Sequence, residues 1–405
     1  MCQVSGRSQT WQVFDMNTAG LPNNTVKALA CAPNGDMWVG TEYGLCRYDG
    51  SSWQVFQTGS SGLPDNDVRS LTVDDTGAVW IGTVNGLARY HLGNWQTYAT
   101  GNSGIPENYV RSLAEATQGG LWVGTVNGLA WFDGDTTWHV YNDGPTSHGG
   151  QQLPGNNIAS LCSRSDGLLC IGTLNAGFTY LTDTSVTVYT TFQNGLPDNT
   201  ALGVGVDSQG WRWLACPAGA LLHHAGDFIG GAWYQYSTLN SMLPSNSLTA
   251  IVVDGWDRKL IGNQISGLTI FQGFSTFTTY NTLNSGLPSN EVMSLALDLS
   301  GGVWVGTSNG GVARFAYATS LADPEAPVSP LTAWVDVEAR AFDLRWEEGS
   351  HAEVELVDMA GRVVWSGRSP GPTCRIPVAG ESSGVYVARV LGAQGPIGAV
   401  RLVLP

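Results

Sequence analysis

One segment of about 42 residues recurs along the chain, and this repeat limits what the chain can fold into. The copy at 59–98 holds four short apolar runs separated by turn sequences such as Asp75-Thr76-Gly77 and Asn85-Gly86. Turn residues at that spacing predict four antiparallel strands joined by hairpins. A Leu-Pro or Ile-Pro pair opens every copy, at Leu21, Leu63, Ile105, Leu153, Leu196, Leu243 and Leu287. The sequence therefore predicts seven copies of one four-stranded unit.

The ends of the array indicate how it closes. A fourth-strand pattern, Trp-x-x-Phe/Tyr, is absent after the seventh repeat, and one surplus copy, Trp11–Phe14, precedes the first repeat. Periods of 40–45 residues with four strands are typical of β-propellers, and a closed ring leaves no strand edge unpaired. We therefore predict an all-β fold with a seven-bladed β-propeller, from about Gln9 to Tyr317, closed by the N-terminal outer strand. An open solenoid is the structural alternative.

The composition changes at Ala322–Pro330, where proline-rich sequence predicts a semi-extended spacer. About 75 residues of alternating apolar and polar sequence follow, with turn residues between seven short runs. That number and length of strands predict a small Ig-like antiparallel β-sandwich. The predicted domains are the propeller at 1–318, the linker at 319–330 and the sandwich at 331–405.

The charge of the chain restricts its partners. Its formal net charge is −15, and its only lysines are Lys27 and Lys259. Binding to nucleic acid requires basic surface stripes, so no nucleic-acid partner is predicted. No apolar stretch approaches the 18 residues that a membrane-spanning helix needs, so no membrane span is predicted.

The seven cysteines lack the spacing of a metal site or of a disulfide framework. Cys46, Cys170 and Cys216 replace strand residues of the repeat, which favours buried thiols. Cys162 and Cys170 flank one hairpin turn, and a cross-strand disulfide between them is the alternative.

Basic residues occupy one equivalent position in the first three repeats. Lys27, Arg69 and Arg111 each lie one residue into the innermost strand, where the later repeats carry Ala159, Leu202, Thr249 and Met293. On an acidic protein, a basic arc near the mouth of the channel is expected to bind an anionic group such as a carboxylate or uronate. The alternative is that each cation simply pairs with a nearby acid, for instance Glu42 or Glu107.

Three further residues are candidates for ligand contact on the same loop-bearing face. Tyr43 and Tyr109 lie on turns and are able to stack on a sugar ring, although exposed aromatic residues on turns are also ordinary. His148 lies in the loop Asn142–Asn157, which is about six residues longer than its counterparts and contains Gly149 and Gly150. We expect this loop to be a flexible polar flap.

No motif in the sequence indicates a catalytic, cofactor or metal site. Gly306-Thr-Ser308-Asn-Gly310 matches the Gly-x-Ser-x-Gly nucleophile pattern, but it occupies the standard turn of the repeat and lacks the strand-to-helix context. His223 and His224, in a longer segment that reaches Gly231, are adjacent on a strand and point to opposite sides, so they form a poor metal pair. No catalytic residue, no cofactor and no metal is predicted.

The repeat resembles a known family. Leu-Pro-x-Asn-x-Val-x-Ser-Leu followed by Gly-x-x-Trp-Val-Gly-Thr-x-Asn-Gly-Leu is similar to the two-component-regulator-type propeller repeat, most strongly in repeats one, two, three and seven. In that family the repeat forms periplasmic sensor modules of hybrid histidine kinases and also occurs in secreted proteins. The resemblance implies the propeller fold and a ligand-binding function.

The C-terminal region, 331–405, resembles the sorting domain of type IX secretion. The matching segments are Val354–Val364, with Gly361-Arg362, then Gly384–Val390 and Gly398–Leu404, whereas the final Pro405 departs from the basic ending of the family. The resemblance implies recognition by a secretion machinery and a location outside the outer membrane. The alternative is an accessory β-sandwich without a targeting role.

The N-terminal sequence MCQVSGRSQT has no apolar core resembling a signal peptide. Either the protein is cytoplasmic or a leader precedes the sequence, and the implied export favours the leader. Cys2 is compatible with a lipid anchor.

Together these features predict a secreted or cell-surface binding protein that engages an extracellular glycan or another surface ligand. The first alternative is an extracellular polysaccharide hydrolase or lyase, with Glu42, Glu107 and the basic arc as participants. The second alternative is a structural subunit of a surface assembly. The absence of catalytic motifs favours binding over catalysis.

Overall fold

A computed structural model describes residues 9–117, 119–164, 166–182, 184–192, 196, 198–218, 220–224, 233–272, 276–317, 331–336, 341–346, 352–358, 363–371, 373–378, 384–392 and 395–404. The chain forms two compact units, Met1–Ala318 and Thr319–Pro405. Within the described residues, no helix has the length and apolar character that crossing a bilayer requires.

Strands make up nearly all the regular structure of the first unit. In chain order they are β1 (Gln9–Phe14), β2 (Val26–Cys31), β3 (Met37–Thr41), β4 (Gly44–Tyr48), β5 (Trp53–Phe56), β6 (Val68–Val73), β7 (Val79–Thr83), β8 (Gly86–His91), β9 (Asn94–Tyr98), β10 (Val110–Glu115), β11 (Leu121–Thr125), β12 (Gly128–Phe132), β13 (Trp138–Tyr141), β14 (Ile158–Ser163), β15 (Leu169–Thr173), β16 (Phe178–Leu181), β17 (Val186–Tyr189), β18 (Gly203–Val206), β19 (Arg212–Cys216), β20 (Ala220–His224), β21 (Trp233–Tyr236), β22 (Leu248–Val253), β23 (Lys259–Asn263), β24 (Leu268–Gln272), β25 (Thr276–Tyr280), β26 (Val292–Leu297), β27 (Val303–Thr307) and β28 (Val312–Tyr317). A 3-10 turn, His148–Gly150, lies between β13 and β14.

The second unit is also built from strands. They are β29 (Leu331–Asp336), β30 (Ala341–Trp346), β31 (Ala352–Asp358), β32 (Val363–Ser369), β33 (Thr373–Pro377), β34 (Gly384–Gly392) and β35 (Gly395–Leu404).

The first unit is a closed propeller of four-stranded antiparallel sheets. Six blades each consist of four consecutive strands, namely β2–β5, β6–β9, β10–β13, β14–β17, β18–β21 and β22–β25. A further sheet is composite, because β26, β27 and β28 take β1 as their outer strand, with Trp11 opposite Phe315. This is the place that the sequence predicts for the N-terminal strand. The innermost strands contact one another around the ring, and β26 contacts β2, so the ring is closed and the open solenoid is wrong.

The predicted fold class needs two corrections. First, six blades, rather than seven, are complete units of consecutive strands, because the remaining sheet is shared between the two ends of the propeller. Second, an Ig-like sandwich is not shown. The sheets of the second unit have the strand orders β29-β30-β33 and β32-β31-β34-β35. An immunoglobulin constant-type domain pairs its fourth strand with its fifth, whereas here β32, the fourth strand of the unit, pairs with β31, the strand that precedes it in the chain.

Apolar packing between neighbouring sheets holds the propeller together. Every residue of the second strand is buried in β3, β7, β15, β19, β23 and β27. Trp38 of β3, for example, packs against Val68 and Ile81 of the next blade. Because both faces of an inner strand are covered, these strands read as near-continuous apolar runs, and the blade stacking accounts for the tryptophan of the repeat.

The second unit has its own core. Phe342 and Ile376 from one sheet pack with Val354, Tyr386 and Ala388 from the other, so the two sheets lie face to face. The sheets therefore bury one shared apolar layer, as in sandwich architectures generally.

The six cysteines that the structure describes are buried or half-buried thiols. Cys162 and Cys170 lie opposite each other on β14 and β15, and both thiols are free, so the disulfide alternative is wrong. Cys46, Cys170 and Cys216 are fully buried, which confirms the first interpretation. Burial raises the pKa of the Cys162 thiol to about 11, so this thiol stays protonated and unreactive at neutral pH.

Some sequence predictions concern residues that lie outside the described part of the chain. These are Cys2, the linker at 319–330, residues 225–231 of the segment that follows His224, Gly361-Arg362 and Pro405.

Candidate ligand-binding site

A β-bulge lies at the start of the innermost strand in six of the propeller sheets. The register of β2 shifts between Val26 and Ala28, and equivalent shifts occur in β6, β10, β14, β22 and β26. The extra residues are Lys27, Arg69, Arg111, Ala159, Thr249 and Met293. A bulge leaves one residue out of the ladder and re-aims its side chain. The three cations predicted from sequence are therefore all bulge residues.

The side chains of the bulge residues reach toward the next sheet along the ring. Lys27 Nζ lies 2.9 Å from Asp67 Oδ1, which precedes β6. The Arg69 guanidinium lies 5.3 Å from the ring centroid of Tyr109, which precedes β10. Thr249 Oγ1 donates to the carbonyl of Val292 at 2.5 Å. One local distortion of the inner strand thus places side chains between adjacent sheets.

Lys27, Asp67, Arg69, Tyr109 and Arg111 form one continuous group, which we call the Lys27–Arg111 cluster. Lys27 Nζ also lies 2.8 Å from Glu42 Oε1, and the lysine side chain is only 7% exposed. Arg69 Nη2 lies 2.5 Å from Asp67 Oδ2. These ion pairs neutralise the positive charges of Lys27 and Arg69. Within the described residues, the predicted basic arc therefore has little net positive charge at these two positions.

Arg111 ends the cluster with its charge unmatched. Its guanidinium lies 4.9 Å from the ring centroid of Tyr109, and it forms no ion pair with a described carboxylate. Its buried Nε has no hydrogen-bond partner among the described residues. Asn157 occupies the position before β14 that Asp67 and Tyr109 hold in the preceding blades, and its buried Oδ1 is likewise without a described partner. Buried polar atoms normally have partners, and Arg111 Nε and Asn157 Oδ1 are among the exceptions in the described residues.

Tyr43 and His148 are not brought into the Lys27–Arg111 cluster by any described contact. Tyr43 lies on the turn between β3 and β4, is 56% exposed, and accepts a hydrogen bond at its carbonyl from Gln57 Nε2. His148 packs against the outer strand of its blade, where its Nδ1 lies 3.0 Å from Nδ1 of His139. Tyr43 therefore offers a free ring near Glu42, whereas His148 belongs to a separate group.

The loop at 142–157 is tied down rather than loose. Asn142 N donates to Ser147 Oγ at 3.1 Å, Leu153 N donates to the Asn142 carbonyl at 2.9 Å, and Gln151 Nε2 donates to the Thr182 carbonyl at 3.0 Å. The predicted flexible flap needs correction, because these bonds hold the loop against its own blade and the next one.

The two acids of the enzymatic alternative have structural partners. Glu42 pairs with Lys27, and Glu107 Oε1 accepts a hydrogen bond from Asn108 N at 2.7 Å. Ser308 lies in a turn where Gly310 N donates to Thr307 Oγ1 at 3.0 Å, as the turn interpretation expects. Nothing in these contacts singles out a nucleophile or a proton donor.

Sequence reasoning missed three residues. Asp67 was detectable as an acid two positions before Arg69, but only the neighbouring blade makes it the partner of Lys27. In the sequence, Asn157 stood out only as one of the residues that differ between repeats at the position before the innermost strand. The sequence did not mark His139 as functional, because a histidine on an outer strand is common. Only the path of the loop in the structure brings His148 next to it.

Two open cavities lie at the other ends of the strands. One of about 340 Å³ lies between the first two blades and is lined by Asp36, Arg47 and Asp75. The other, of about 450 Å³, lies beside the composite sheet and is lined by Tyr48, Asp298 and others. Both are lined by turns between the first and second strands of a blade and by residues near those turns, so neither contains the Lys27–Arg111 cluster.

The comparison with known families matches three stretches of the chain, and each contains one cation of the Lys27–Arg111 cluster. Residues 20–43, 62–85 and 104–127 match the two component regulator propeller family. Each matched stretch runs from the Leu-Pro segment through the inner strand to the turn after the second strand, so each includes one bulge residue. Each of the first three blades thus contains one stretch that matches this family. No curated protein sequence matches the chain.

Solved structures share the fold at low sequence identity. PorZ, an essential bacterial surface component of the type-IX secretion system of Porphyromonas gingivalis, is 17% identical, with a TM-score of 0.62 over 97% of this chain and 60% of PorZ. The extracellular domain of the hybrid two component system BT3049 from B. thetaiotaomicron is 18% identical, with a TM-score of 0.64 over 97% of this chain and 57% of that chain. Virginiamycin B lyase from Staphylococcus aureus is 13% identical, with a TM-score of 0.61 over 76% of this chain and 99% of the lyase. The chain spans less than two thirds of the first two proteins, and these likenesses show the fold alone.

Proposed function

We propose that this protein is a secreted or cell-surface binding module whose loop-bearing propeller face takes an anionic extracellular ligand, most simply an acidic glycan. The observation that carries the proposal is Arg111, whose charge no described carboxylate matches although Lys27 and Arg69 are both paired. Several proteins of similar fold are extracellular or surface proteins, which supports this location. We further propose that residues 331–405 serve export.

Arg111 has the chemistry for this role. A guanidinium binds a carboxylate with two parallel hydrogen bonds, and its stacking on Tyr109 fixes its plane. The Tyr109 ring already contacts Arg69 and Arg111, so the exposed ring of Tyr43 is the better platform for a sugar.

The test is binding of trigalacturonate, with neutral maltotriose as the comparison, measured by calorimetry on the full chain. We expect the acidic trisaccharide to bind and Arg111→Met to weaken it by about 10-fold to 100-fold, because a charge-assisted hydrogen bond contributes roughly 1.5–3 kcal/mol. Arg89→Met is the matched control: it removes the same charge from a residue that lies over Trp80, outside the cluster.

Two outcomes would overturn the assignment. Equal affinity of Arg111→Met and the unaltered protein removes Arg111 from the site. An equal loss in Arg89→Met shows that net charge, rather than a local contact, controls binding. If neither saccharide binds, the acidic-glycan form of the proposal is wrong, and a structural role in a surface assembly is favoured.

A further inference from the structure

Two histidines from separate elements meet on the outer strand of the third blade. His139 lies in β13, and His148 lies in the loop that returns to it. Their Nδ1 atoms are 3.0 Å apart, and their ring centroids are 4.0 Å apart with an angle of 60° between the rings. Trp131 stacks on His139 at 5.2 Å, and Tyr141 meets His148 edge-on at 5.4 Å. Both imidazoles are therefore held in place by neighbouring rings.

The loop fixes His148 independently of the contact with His139. Ser147 Oγ donates to the Gln151 carbonyl, and Gln151 N donates to the His148 carbonyl at 3.1 Å. Gln151 Nε2 anchors this turn to Thr182 of the next blade. The position of the second imidazole is thus a property of the loop, so the pair is pre-organised.

The 3.0 Å contact between the two Nδ1 atoms is a hydrogen bond in which one nitrogen donates and the other accepts, so it holds one shared proton. A metal ion able to bind two imidazoles competes directly with that proton.

We propose that His139 and His148 chelate a divalent transition-metal ion through their Nδ1 atoms. Metal–imidazole bonds of about 2.0–2.1 Å across a 3.0 Å separation give an N–metal–N angle of about 95°. That angle suits two adjacent positions of a square-planar or octahedral ion, such as Cu²⁺ or Ni²⁺, better than the tetrahedral angle of Zn²⁺.

The remaining positions of the ion are open to water or to an external ligand. In the part of the chain that the structure describes, no group of three or more His, Cys, Asp or Glu side chains is placed to hold a metal. The site is therefore a two-histidine chelate, and bound metal is expected to fasten the loop at 142–157 to β13.

The test is titration of the tag-free full chain with CuCl₂ and with NiCl₂ at pH 7.4, followed by calorimetry and, for copper, by electron paramagnetic resonance. We expect a copper signal with two nitrogen ligands, and at least 10-fold weaker binding in His148→Ala and in His139→Ala. His91→Ala, which removes a histidine of another blade, is the control and should bind as the unaltered protein does. His139→Ala together with His148→Ala measures any binding elsewhere on the chain.

Each outcome of the titration either supports or overturns the proposed metal site. Loss of the two-nitrogen signal in His148→Ala, which alters only an exposed loop residue, supports the site even if His139→Ala folds poorly. Unchanged affinity and an unchanged nitrogen count in His148→Ala would overturn it. Absence of a high-affinity copper signal in the unaltered protein would also overturn it and would leave the pair as a single N–H···N hydrogen bond.

Discussion

At the scale of single residues, the asparagine of each Leu-Pro-x-Asn segment has a structural role. Asn66 Oδ1 accepts a hydrogen bond from Thr58 N at 2.9 Å and so fastens the strand that leaves one blade to the segment that enters the next. The same bond is made by Asn24, Asn108, Asn156, Asn199, Asn246 and Asn290. Because all these asparagines do the same work, ligand specificity has to come from positions where the repeats differ.

Lys27→Met should destabilise the protein, whereas Arg111→Met should not. The lysine is 7% exposed and bridges two carboxylates, so its removal leaves charges without a partner. In this variant Asp67 still pairs with Arg69, and Glu42 is 44% exposed, so water solvates its carboxylate. We therefore expect a loss of only about 2 kcal/mol in the free energy of unfolding. Thermal melts of the two variants are the measurement, and the second variant is the control at the equivalent bulge position. An equal fall in melting temperature for both would refute the charge matching described here.

Asp298→Asn should cost stability at neutral pH but not in acid. Burial raises the pKa of Asp298, but hydrogen bonds from Ser300 and Arg314 outweigh it and leave the pKa lowered. A carboxyl whose pKa is lower in the folded state than its unfolded value of about 3.9 stabilises the fold above that value, and this contribution disappears as the pH falls through the folded pKa. We expect a difference of about 2 kcal/mol between variant and unaltered protein at pH 7, shrinking below about pH 4.

Denaturant unfolding at pH 3 to 7 measures that difference. Asp135→Asn, a charge-matched change at an exposed position, is the control for the change in net charge. A gap that stays constant down to pH 3 would show that the carboxylate charge of Asp298 is not what stabilises this turn.

At the scale of elements, the Gly of the Trp-x-Gly-Thr strand sets the distance between sheets. A Cβ atom at Gly82 would lie 2.5 Å from Cγ1 of Val110 on the next blade. Such a contact forces the sheets apart or the valine out of its rotamer. The repeat uses glycine at this point because the neighbouring inner strand crosses directly over it.

Gly82→Ala should therefore lower the free energy of unfolding by about 1–3 kcal/mol, the usual cost of overpacking. Gly59→Ala is the matched control, since its Cβ would meet nothing within 4 Å, and it should change stability by about 0.5 kcal/mol or less. Denaturation of both variants, followed by tryptophan fluorescence, makes the comparison. A neutral Gly82→Ala would mean that the blades are not packed as closely as the structure shows.

Most elements could be predicted from the sequence because turn chemistry and apolar runs mark them locally. The strands β6 to β9 follow the four apolar runs of the copy at 59–98, and the pairing of Trp11–Phe14 with the last sheet followed from a missing fourth strand. The sheet assignment of Val363–Ser369 was missed because strand order depends on which strands meet in space.

The candidate site was less predictable for the same reason. Lys27, Arg69 and Arg111 were found as one equivalent position, but the pairing of Lys27 and Arg69 depends on Asp67 in the neighbouring blade and on the bulge at each cation. His148 was assigned to the ligand face because its loop was placed on that face of the propeller. The hydrogen bonds that bring it to His139 join residues far apart in the repeat pattern.

At the scale of the whole molecule, the two units have separate cores and so are open to separate roles. The propeller is one compact unit, Met1–Ala318, and the two sheets of the other share an apolar layer of their own. A domain with its own core can in principle fold alone. This division makes the proposed export role testable without disturbing the proposed ligand site.

Deleting residues 331–405 should leave the propeller folded but retain it inside a producing cell that has type IX secretion. We expect the truncated protein to disappear from the culture medium and from the cell surface, measured by protease accessibility and by immunoblots of cell fractions. The purified truncation must melt as the propeller does in the full chain, because this excludes misfolding as the cause of retention. In the reciprocal experiment, a periplasmic reporter fused to residues 331–405 should reach the surface. Continued export of the truncation, or a reporter that remains inside, would contradict the sorting role while leaving the ligand-binding proposal intact.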